Sequence, residues 1–273
     1  MTRNGLVEST IEAFARTMSR ALMSEQLSIR SGLLQQLDPR VRLIGILMLV
    51  VAVVVTRRLS VLGSLFLVAV AIAVMSRVPL LSLAKRVWLV VFAFTGLIAI
   101  PALFLTPGNP ILALPTGRLA ITASGLRTAS LLVLRVETAV TLTTVLVLCT
   151  PWNDILKALR LFRIPAEVVT MLAMTHRYIF LLLESTNQMF ESRKSRAVGS
   201  SSGSKERRMI ARTAGVLLSK SVDLGQDVFS AMLSRGYHGE VHLLKSFQMR
   251  GRDYMAAGLF LALSGAAAWM GTR

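Results

Sequence analysis

The sequence is poor in cysteine and in charged residues. Cys149 is the single cysteine, so no disulfide can form within the chain, and its place in an apolar run predicts a packing residue. Only 16% of residues are charged, against about 25% in soluble domains. Hydrophobic residues make up 53% of the chain, and the mean hydropathy is +0.62. Because the hydrophobic residues come in blocks, the composition excludes an ordinary soluble domain and indicates a membrane protein.

Acidic residues are the scarcer of the two charge types. The chain has 14 Asp and Glu residues and 31 Lys and Arg residues, which gives a net charge of +17 and a pI near 11.5. Such values first suggest nucleic-acid binding, but here the basic residues flank the apolar blocks, as in cytoplasmic loops of membrane proteins. Spaced acids also dilute the basic field, which favours a protein partner over nucleic acid: Glu184, Glu191, Glu206, Asp223 and Asp227. Salt-dependent binding would instead identify a peripheral binder of nucleic acid or anionic lipid.

Catalytic signatures are also missing. No nucleophile–base pair and no paired acids stand out, so we expect no enzyme activity in this chain. The stretch 199–205 resembles a phosphate loop, but it lacks the four-residue gap between glycines and a Ser or Thr after its lysine, so we interpret it as a flexible turn. His238, Glu240 and His242 are spaced like metal ligands, but two nearby glycines favour an exposed loop. The sequence thus predicts no cofactor and no metal site.

Five apolar blocks follow the first 38 residues, at 41–56, 59–76, 87–105, 119–150 and 255–270. A hydrocarbon core of about 30 Å needs roughly 20 helical residues, so the blocks predict an all-α protein with about five membrane spans. Asp38-Pro39 suits a helix start. Arg57-Arg58 predicts a tight turn between two spans, because a single bent helix would place both arginines at mid-membrane. Prolines and glycines predict a loop over 106–117.

The distribution of basic residues predicts the orientation of these spans. Residues 1–42 carry six arginines, 77–86 carry three basic residues and 151–254 carry sixteen. With four spans before residue 151, these three regions share one side, which the charge rule assigns to the cytoplasm. We therefore expect a cytoplasmic N-terminal segment (1–38), spans over 39–150, a cytoplasmic segment over 151–253 and a last span over 254–273, in a bacterial or archaeal plasma membrane.

The segment after residue 151 contains two long amphipathic stretches, at about 166–196 and 205–235. Apolar or small residues recur at a spacing of three to four, which predicts one stripe per helix of about 45 Å. The first stripe is Val168, Leu172, Thr175, Ile179, Leu182, Thr186 and Met189; the second is Ile210, Ala214, Leu217, Ser221, Leu224, Val228 and Ala231. Continuing the registers reaches Arg193 and Arg196 in the first helix and Arg235 in the second, with Gly199 and Gly236 at the ends. Taken alone, these residues could equally be ordinary C-capping arginines.

Four short motifs occur in order along the chain: Leu37-Asp38-Pro39-Arg40-Val41-Arg42-Leu43, Cys149-Thr150-Pro151, Arg177-Tyr178-Ile179 and Ala231-Met232-Leu233-Ser234-Arg235-Gly236-Tyr237. With the apolar blocks before and after them, they resemble the transmembrane T component of energy-coupling factor (ECF) transporters. The run on through His238-Gly239-Glu240 looks most like the cobalt or nickel type, CbiQ. The resemblance covers the chain from residue 30 onward.

The resemblance implies a coupling role for the two long helices. In this family, Ala-Arg-Gly-like motifs at the ends of two coupling helices insert into a pair of cytoplasmic ATPases. The corresponding residues here are Ser195-Arg196-Ala197 and Ser234-Arg235-Gly236, which keep the arginine but differ at neighbouring positions. The expected packing residues of the helix pair are Leu172, Ile179, Leu182, Met189, Ile210, Leu217, Leu224 and Val228. The implied partners are ABC-type ATPases that bind the ATP, a substrate-binding S component and the bilayer.

Two other functions remain open at this level. One is the T subunit of a vitamin-type ECF importer, because the substrate is chosen by another subunit. The other is a self-contained secondary transporter, which would need polar residues at mid-span and repeated halves. Arg127, Arg135 and Glu137 are the only polar candidates for such a role, and no internal repeat is visible.

Overall fold

The computed structural model describes residues 32, 34–78, 83, 87–105, 110–113, 120–162, 164–196, 203–239 and 249–272. The described residues divide into two compact units. The first, called the bundle, contains the described residues up to 158 together with 249–272. The second, called the helix pair, contains the described residues between 159 and 239.

The described residues form eight α-helices and one short β-hairpin. The helices are α1 (Pro39–Val55), α2 (Leu59–Met75), α3 (Leu89–Leu105), α4 (Ala123–Cys149), α5 (Trp152–Leu159), α6 (Ala166–Arg196), α7 (Gly203–Ser234) and α8 (Gly251–Thr272). Short 3-10 helices at Leu34–Gln36 and Arg160–Phe162 precede α1 and follow α5. The predicted all-α class is confirmed. Helices lie at the five predicted apolar blocks, with α8 beginning a few residues earlier than expected, while the span bounds stay a prediction.

A hairpin replaces part of the loop that was predicted over 106–117. Strand β1 (Pro110–Ala113) pairs antiparallel with β2 (Ala120–Thr122), with an irregular register between Pro110 and Leu112. The loop prediction is wrong at β1, because the short β-prone run between the prolines pairs with β2. The other residues of the predicted loop lie outside the described ranges.

Local signals fix where the membrane helices begin and end. The Asp38 side chain accepts a hydrogen bond from the backbone N–H of Arg40, and Pro39 is the first residue of α1. Residues 56–58 separate α1 from α2, so Arg57 and Arg58 lie in a turn between two helices, as predicted. Thr122 caps α4 by accepting from the backbone N–H of Gly125 at 3.2 Å. The starts of α1 and α4 are therefore capped by side chains.

Helix α4 is the centre of the bundle, where it packs against α1, α2 and α3. Helix α8 packs along α1 and also contacts α2. The buried core includes Ile46, Leu49, Leu62, Leu142 and Val145. Two glycines permit the closest approaches to α8, because a Cβ atom at Gly45 would lie 2.5 Å from the Phe260 ring and one at Gly271 would lie 2.8 Å from the Thr56 side chain.

The outer surface of the bundle is strongly apolar, with Leu67, Phe94 and Met255 each more than two-thirds exposed. Three described helical stretches are long and apolar enough to cross a membrane: α4, residues 166–192 of α6, and α8. Helix α2 and the Leu89–Pro101 part of α3 are apolar but shorter. The chain is a polytopic α-helical membrane protein. That α6 also meets the length and composition requirement was not expected for a helix predicted to be cytoplasmic.

A buried arginine ties three parts of the bundle together at one end. Arg42, which is only 2% exposed, donates to the backbone oxygens of Cys149 at 2.6 Å and Leu37 at 2.7 Å. Weaker bonds reach Thr150 Oγ1 at 3.2 Å and the Gln35 backbone oxygen at 3.3 Å. The guanidinium therefore joins the first turn of α1 to the segment before it and to the C terminus of α4.

Asp253 joins α8 to the same end of the bundle. Its buried carboxylate accepts from the backbone N–H of Asp38 at 2.9 Å and from that of Arg250 at 2.8 Å. The Gln35 side chain joins the end of α2 to the same region by donating a hydrogen bond to the Ser76 backbone oxygen at 3.3 Å. The start of α1, the end of α2, the end of α4 and the start of α8 thus meet at one end, called the latch end.

At the opposite end, the turn between α1 and α2 is held by two further bonds. Arg135 of α4 donates from Nη2 to the Thr56 backbone oxygen at 2.7 Å. The Arg57 backbone N–H donates to the Gly271 backbone oxygen of α8 at 3.0 Å. This end is called the turn end.

We predict that Gly45→Ala lowers the thermal midpoint of the detergent-solubilised protein, by the equivalent of about 1–3 kcal/mol of overpacking between α1 and α8. Gly63→Ala in α2 is the matched control, because a Cβ there meets nothing within 4 Å and alanine favours a helix. Equal midpoints for the two variants would contradict the close packing of α1 on α8.

We also predict that Arg42→Lys lowers the thermal midpoint more than Arg58→Lys, although both retain a positive charge. A lysine has one nitrogen and cannot reach acceptors on both sides of the guanidinium plane, and leaving buried carbonyls unbonded costs about 1–3 kcal/mol each. Arg58 is exposed at the turn end. A midpoint unchanged by Arg42→Lys would show that the hydrogen bonds of Arg42 do not hold the latch end together.

Candidate functional site on the helix pair

Helices α6 and α7 pack as an antiparallel pair. The Lys220 ammonium donates to the Ser185 hydroxyl across the pair at 2.6 Å. Gly239, just beyond α7, lies within van der Waals reach of Glu167 in the first turn of α6. The C-terminal end of α7 therefore lies beside the N-terminal end of α6.

An apolar groove of about 490 Å³ lies between the two helices. Helix α6 lines it with Met171, Met174, Tyr178 and Leu182, and α7 with Leu224, Val228, Phe229 and Met232. Tyr237 also lines the groove, and among the described lining residues Glu167 is the one acidic residue and no Lys, Arg or His occurs. Methionines adapt their shape easily, so the groove walls can repack as the helices shift.

The predicted stripe of α7 agrees with the structure over most of its length. Ile210, Leu217, Ser221, Leu224 and Val228 are all at least partly sheltered, and the last three line the groove. The predicted Ala214 and Ala231 are exposed, and their neighbours Thr213 and Met232 are sheltered instead. The sheltered face therefore differs from the predicted stripe by one position at Ala214 and at Ala231.

The predicted stripe of α6 agrees less well. Leu182 lines the groove and Met189 is half-buried, but Leu172 is exposed and Ile179 is 47% exposed. The groove is lined instead by the register that contains Met171, Met174 and Tyr178. Helix α6 also buries Val169 and Phe190 on a second face. Because apolar residues surround much of this helix, a spacing of three to four fits more than one register, and the residue pattern alone did not select the right one.

The second arginine motif lies at a sharply defined helix end. Helix α7 ends at Ser234, Arg235 follows it, and Gly236 has a left-handed φ of 81°. The Gly236 N–H bonds to the Leu233 oxygen at 2.9 Å and the Tyr237 N–H to the Met232 oxygen at 3.0 Å, which is the Schellman arrangement. Arg235 is exposed at this tip, while Tyr237 turns back into the groove lining. The predicted glycine cap at Gly236 is confirmed.

The first arginine motif lies at the other end of the pair. Arg196 is the last residue of α6 and is exposed, as is Ser195, whose hydroxyl donates to the Glu191 oxygen at 3.1 Å. Ala197 and Gly199 lie outside the described residues. Since α6 and α7 are antiparallel, Arg196 and Arg235 stand near opposite ends of a pair that is roughly 45 Å long at 1.5 Å per residue.

The histidine and phosphate-loop predictions are only partly described. His238 is exposed, whereas Glu240 and His242 lie outside the described residues. Within the described ranges, no group of three or more His, Cys, Asp or Glu residues could hold a metal ion. Residues 199–202 also lie outside these ranges, so their interpretation as a turn stays a prediction. That interpretation is wrong for Gly203, Ser204 and Lys205, which form the first turn of α7.

Comparison with known proteins identifies the family. The profile of the CbiQ family, described as cobalt transport protein, matches residues 30–244. The chain belongs to the CbiQ family. It is therefore a membrane component of a transporter, and the match includes α1 to α7 with both arginine motifs.

Individual relatives extend this match. An uncharacterized protein of Methanocaldococcus jannaschii is 32% identical over 253 residues, covering 92% of this chain and 87% of the relative. The cobalt transport protein CbiQ of Rhodobacter capsulatus is 28% identical, covering 70% and 73%. The energy-coupling factor transporter transmembrane protein EcfT of Bacillus subtilis is 26% identical, covering 77% and 82%.

We predict that Gly236→Ala loosens the tip that carries Arg235, because a residue with a Cβ is strained by about 1–2 kcal/mol in a left-handed conformation. Faster amide hydrogen exchange over 233–237 in the purified protein is the expected result. Gly215→Ala, in the exposed middle of α7, is the matched control, since a Cβ there meets nothing within 4 Å. Exchange rates that stay the same in both variants would contradict a cap that depends on Gly236.

Proposed function

We propose that this chain is the transmembrane coupling subunit of an ECF-type importer, most specifically of one for cobalt or nickel ions. In this proposal, two ATPase subunits dock on Arg196 and Arg235, and the helix pair transmits their movement to a substrate-binding membrane subunit. The observation that carries the proposal is the placement of two exposed arginines at opposite ends of an antiparallel helix pair in a CbiQ-family chain.

The latch end supports a location of the helix pair on one side of the membrane. Arg42 bonds the C terminus of α4 and Asp253 bonds the start of α1, so the chain leaves the bundle after α4 and re-enters it at α8 by the same end. A segment that leaves and returns on one side crosses the bilayer an even number of times. Helix α6 is long enough to cross, but α7 does not meet the same requirement within its described residues. A single crossing by α6 is therefore incompatible with the latch end. The latch end favours a segment in which neither α6 nor α7 crosses the membrane.

The charge distribution supports the cytoplasm as that side. The regions before α1, after α2 and between α4 and α8 contain most of the basic residues, including sixteen between 151 and 254. Basic residues near span ends are retained on the cytoplasmic side during insertion. ATP is available there, so this orientation places both arginine motifs where ATP-binding partners would dock.

The chemistry of Arg196 and Arg235 suits docking by rigid tips. A guanidinium presents a planar fork of donors that fits carboxylates and backbone carbonyls of a partner. Because the Schellman turn fixes the backbone around Arg235, little conformational freedom is lost when it binds. The bond between Lys220 and Ser185 links the two helices, so that a displacement of one helix is transmitted to the other. The chain itself transmits the movement, while ATP binding and hydrolysis belong to the partners.

The proposed substrate comes from the second arginine motif and from one relative. The run from Tyr237 to Glu240 resembles the cobalt or nickel type, and the Rhodobacter capsulatus relative is named a cobalt transport protein. Relatives named EcfT keep the vitamin-type importer as the alternative. The substrate-binding partner would decide between these substrates, because the helix pair is a coupling device rather than a substrate site.

One observation favours a stand-alone transporter as a second candidate. Glu137 is buried in α4, and neither carboxylate oxygen has a hydrogen-bond partner among the described residues. Buried acids in membrane spans commonly lie on ion or proton pathways. We expect Glu137→Gln to preserve coupled uptake in the complete importer; loss of uptake with intact assembly would favour this second candidate.

The docking proposal is tested by charge reversal. We predict that Arg235→Glu and Arg196→Glu each reduce cobalt uptake and recovery of the ATPases by more than about tenfold, because a central arginine contact contributes about 2 kcal/mol or more. Arg212→Glu, exposed along α7, makes the same charge change away from both tips and serves as the control. Membrane levels of all three variants are measured in parallel.

Each outcome of this experiment assigns a role. If only Arg235→Glu uncouples, the first motif is misplaced. If all three variants lose uptake equally, the basic field as a whole attracts the partner and neither tip is specific. Normal uptake in both tip variants would overturn the docking proposal.

A further inference from the structure

The turn end of the bundle contains a second feature, separate from the helix pair. A half-open cleft of about 490 Å³ lies where the turn between α1 and α2 meets α4 and α8. It is lined by Val54, Val55, Arg57, Arg135 and Thr272. Two guanidinium groups thus border one small cleft in an otherwise apolar setting.

Both arginines have donor capacity left for a ligand. Arg135 uses Nη2 to bond the Thr56 oxygen, and its Nη1 makes no hydrogen bond within the described ranges. Arg57 bonds Gly271 through its backbone only, and within the described ranges its exposed side chain makes no hydrogen bond or ion pair. Buried guanidinium donors are normally satisfied, so the cleft is suited to an acceptor from outside the chain.

No Asp or Glu side chain lies close to these two arginines along the described spans. The sequence contains no Asp or Glu between Asp38 and Glu137, and none after Asp253. Glu137 is two positions from Arg135 on α4, which places the two side chains on nearly opposite faces of the helix. Within the described ranges, therefore, no acidic side chain of the spans pairs with Arg57 or Arg135.

The surroundings place the cleft against lipid at headgroup level. Val54 and Val55 of the lining are both exposed, as the lipid-facing side of a span would be. Trp269, 62% exposed, stands one turn before Thr272 on α8, and tryptophan is enriched at the membrane–water interface. Helix α1 rises about 25 Å from Pro39 to Val55, close to the thickness of a hydrocarbon core.

We propose that this cleft binds the phosphate of an anionic phospholipid in the leaflet at the turn end. Arg57 and Arg135 bind the phosphate oxygens, and one acyl chain lies along the exposed valines of α1. Arginine is the residue best suited to phosphate because its donors form a planar fork. A bound lipid would fill the space between the α1–α2 turn, α4 and α8, and so would stabilise the turn end of the bundle.

The test compares two adjacent arginines of the full chain, purified in mild detergent. Native mass spectrometry would measure retention of phosphatidylglycerol during titration, with phosphatidylcholine and soluble glycerol phosphate as the other arms. We expect phosphatidylglycerol to bind preferentially and Arg57→Gln to weaken its binding by about tenfold, since a bond between charged groups is lost. Arg58→Gln is the matched control, because Arg58 is exposed in the same turn but does not line the cleft. This pair leaves the bond between Arg135 and Thr56 intact.

Four results would overturn the proposal. Equal weakening by Arg57→Gln and Arg58→Gln would mean diffuse attraction rather than a site. Equal binding of phosphatidylcholine would remove the preference for anionic lipid. Competition by glycerol phosphate at the same concentration as the lipid would identify a soluble phosphate as the ligand. In a last comparison, the chain is purified together with its partner subunits. Loss of the lipid and shielding of Arg57 from solvent in that complex would identify a protein as the occupant of the cleft.

Discussion

The structure depends on the burial of Arg42 at one end of the bundle. Its guanidinium bonds backbone oxygens before α1 and at the end of α4, so it joins segments more than one hundred residues apart. Removing a buried charge from water is expensive unless its donors are satisfied. That requirement fixes the geometry of the latch end, and with Asp253 it decides that the chain leaves and re-enters the bundle on the same side.

The two ends of the bundle differ in how their buried polar groups are bonded. At the latch end, Arg42 donates to backbone oxygens and Asp253 accepts from backbone N–H groups. The turn end has two arginines beside a cleft and no Asp or Glu among its described residues, and exposed valines and a tryptophan lie nearby. In our proposals, the first end passes movement to and from ATP-binding proteins, whereas the second is completed by lipid phosphate.

Much of this arrangement could be predicted from residues, because its signals are local. The Asp38-Pro39 cap, the Arg57-Arg58 turn and the glycine end at Gly236 each depend on neighbouring positions. The face of α6 could not be predicted, because a helix apolar on several sides fits more than one register; Leu172 and Ile179 are consequently exposed. The latch was also missed, since the bond between Arg42 and Cys149 joins positions whose proximity depends on the complete bundle.

The central claim, that the segment between α4 and α8 stays on one side and presents both arginines there, is tested by labelling single cysteines. Cys149 is the only native cysteine and is fully buried. In a Cys149→Ala background, Arg196→Cys and Arg235→Cys would be exposed to a membrane-impermeant thiol reagent in inside-out and right-side-out vesicles. We expect both variants to react only in inside-out vesicles. Reaction of Arg196→Cys from the opposite side to Arg235→Cys would show that α6 crosses the membrane and that the two arginines do not share one side.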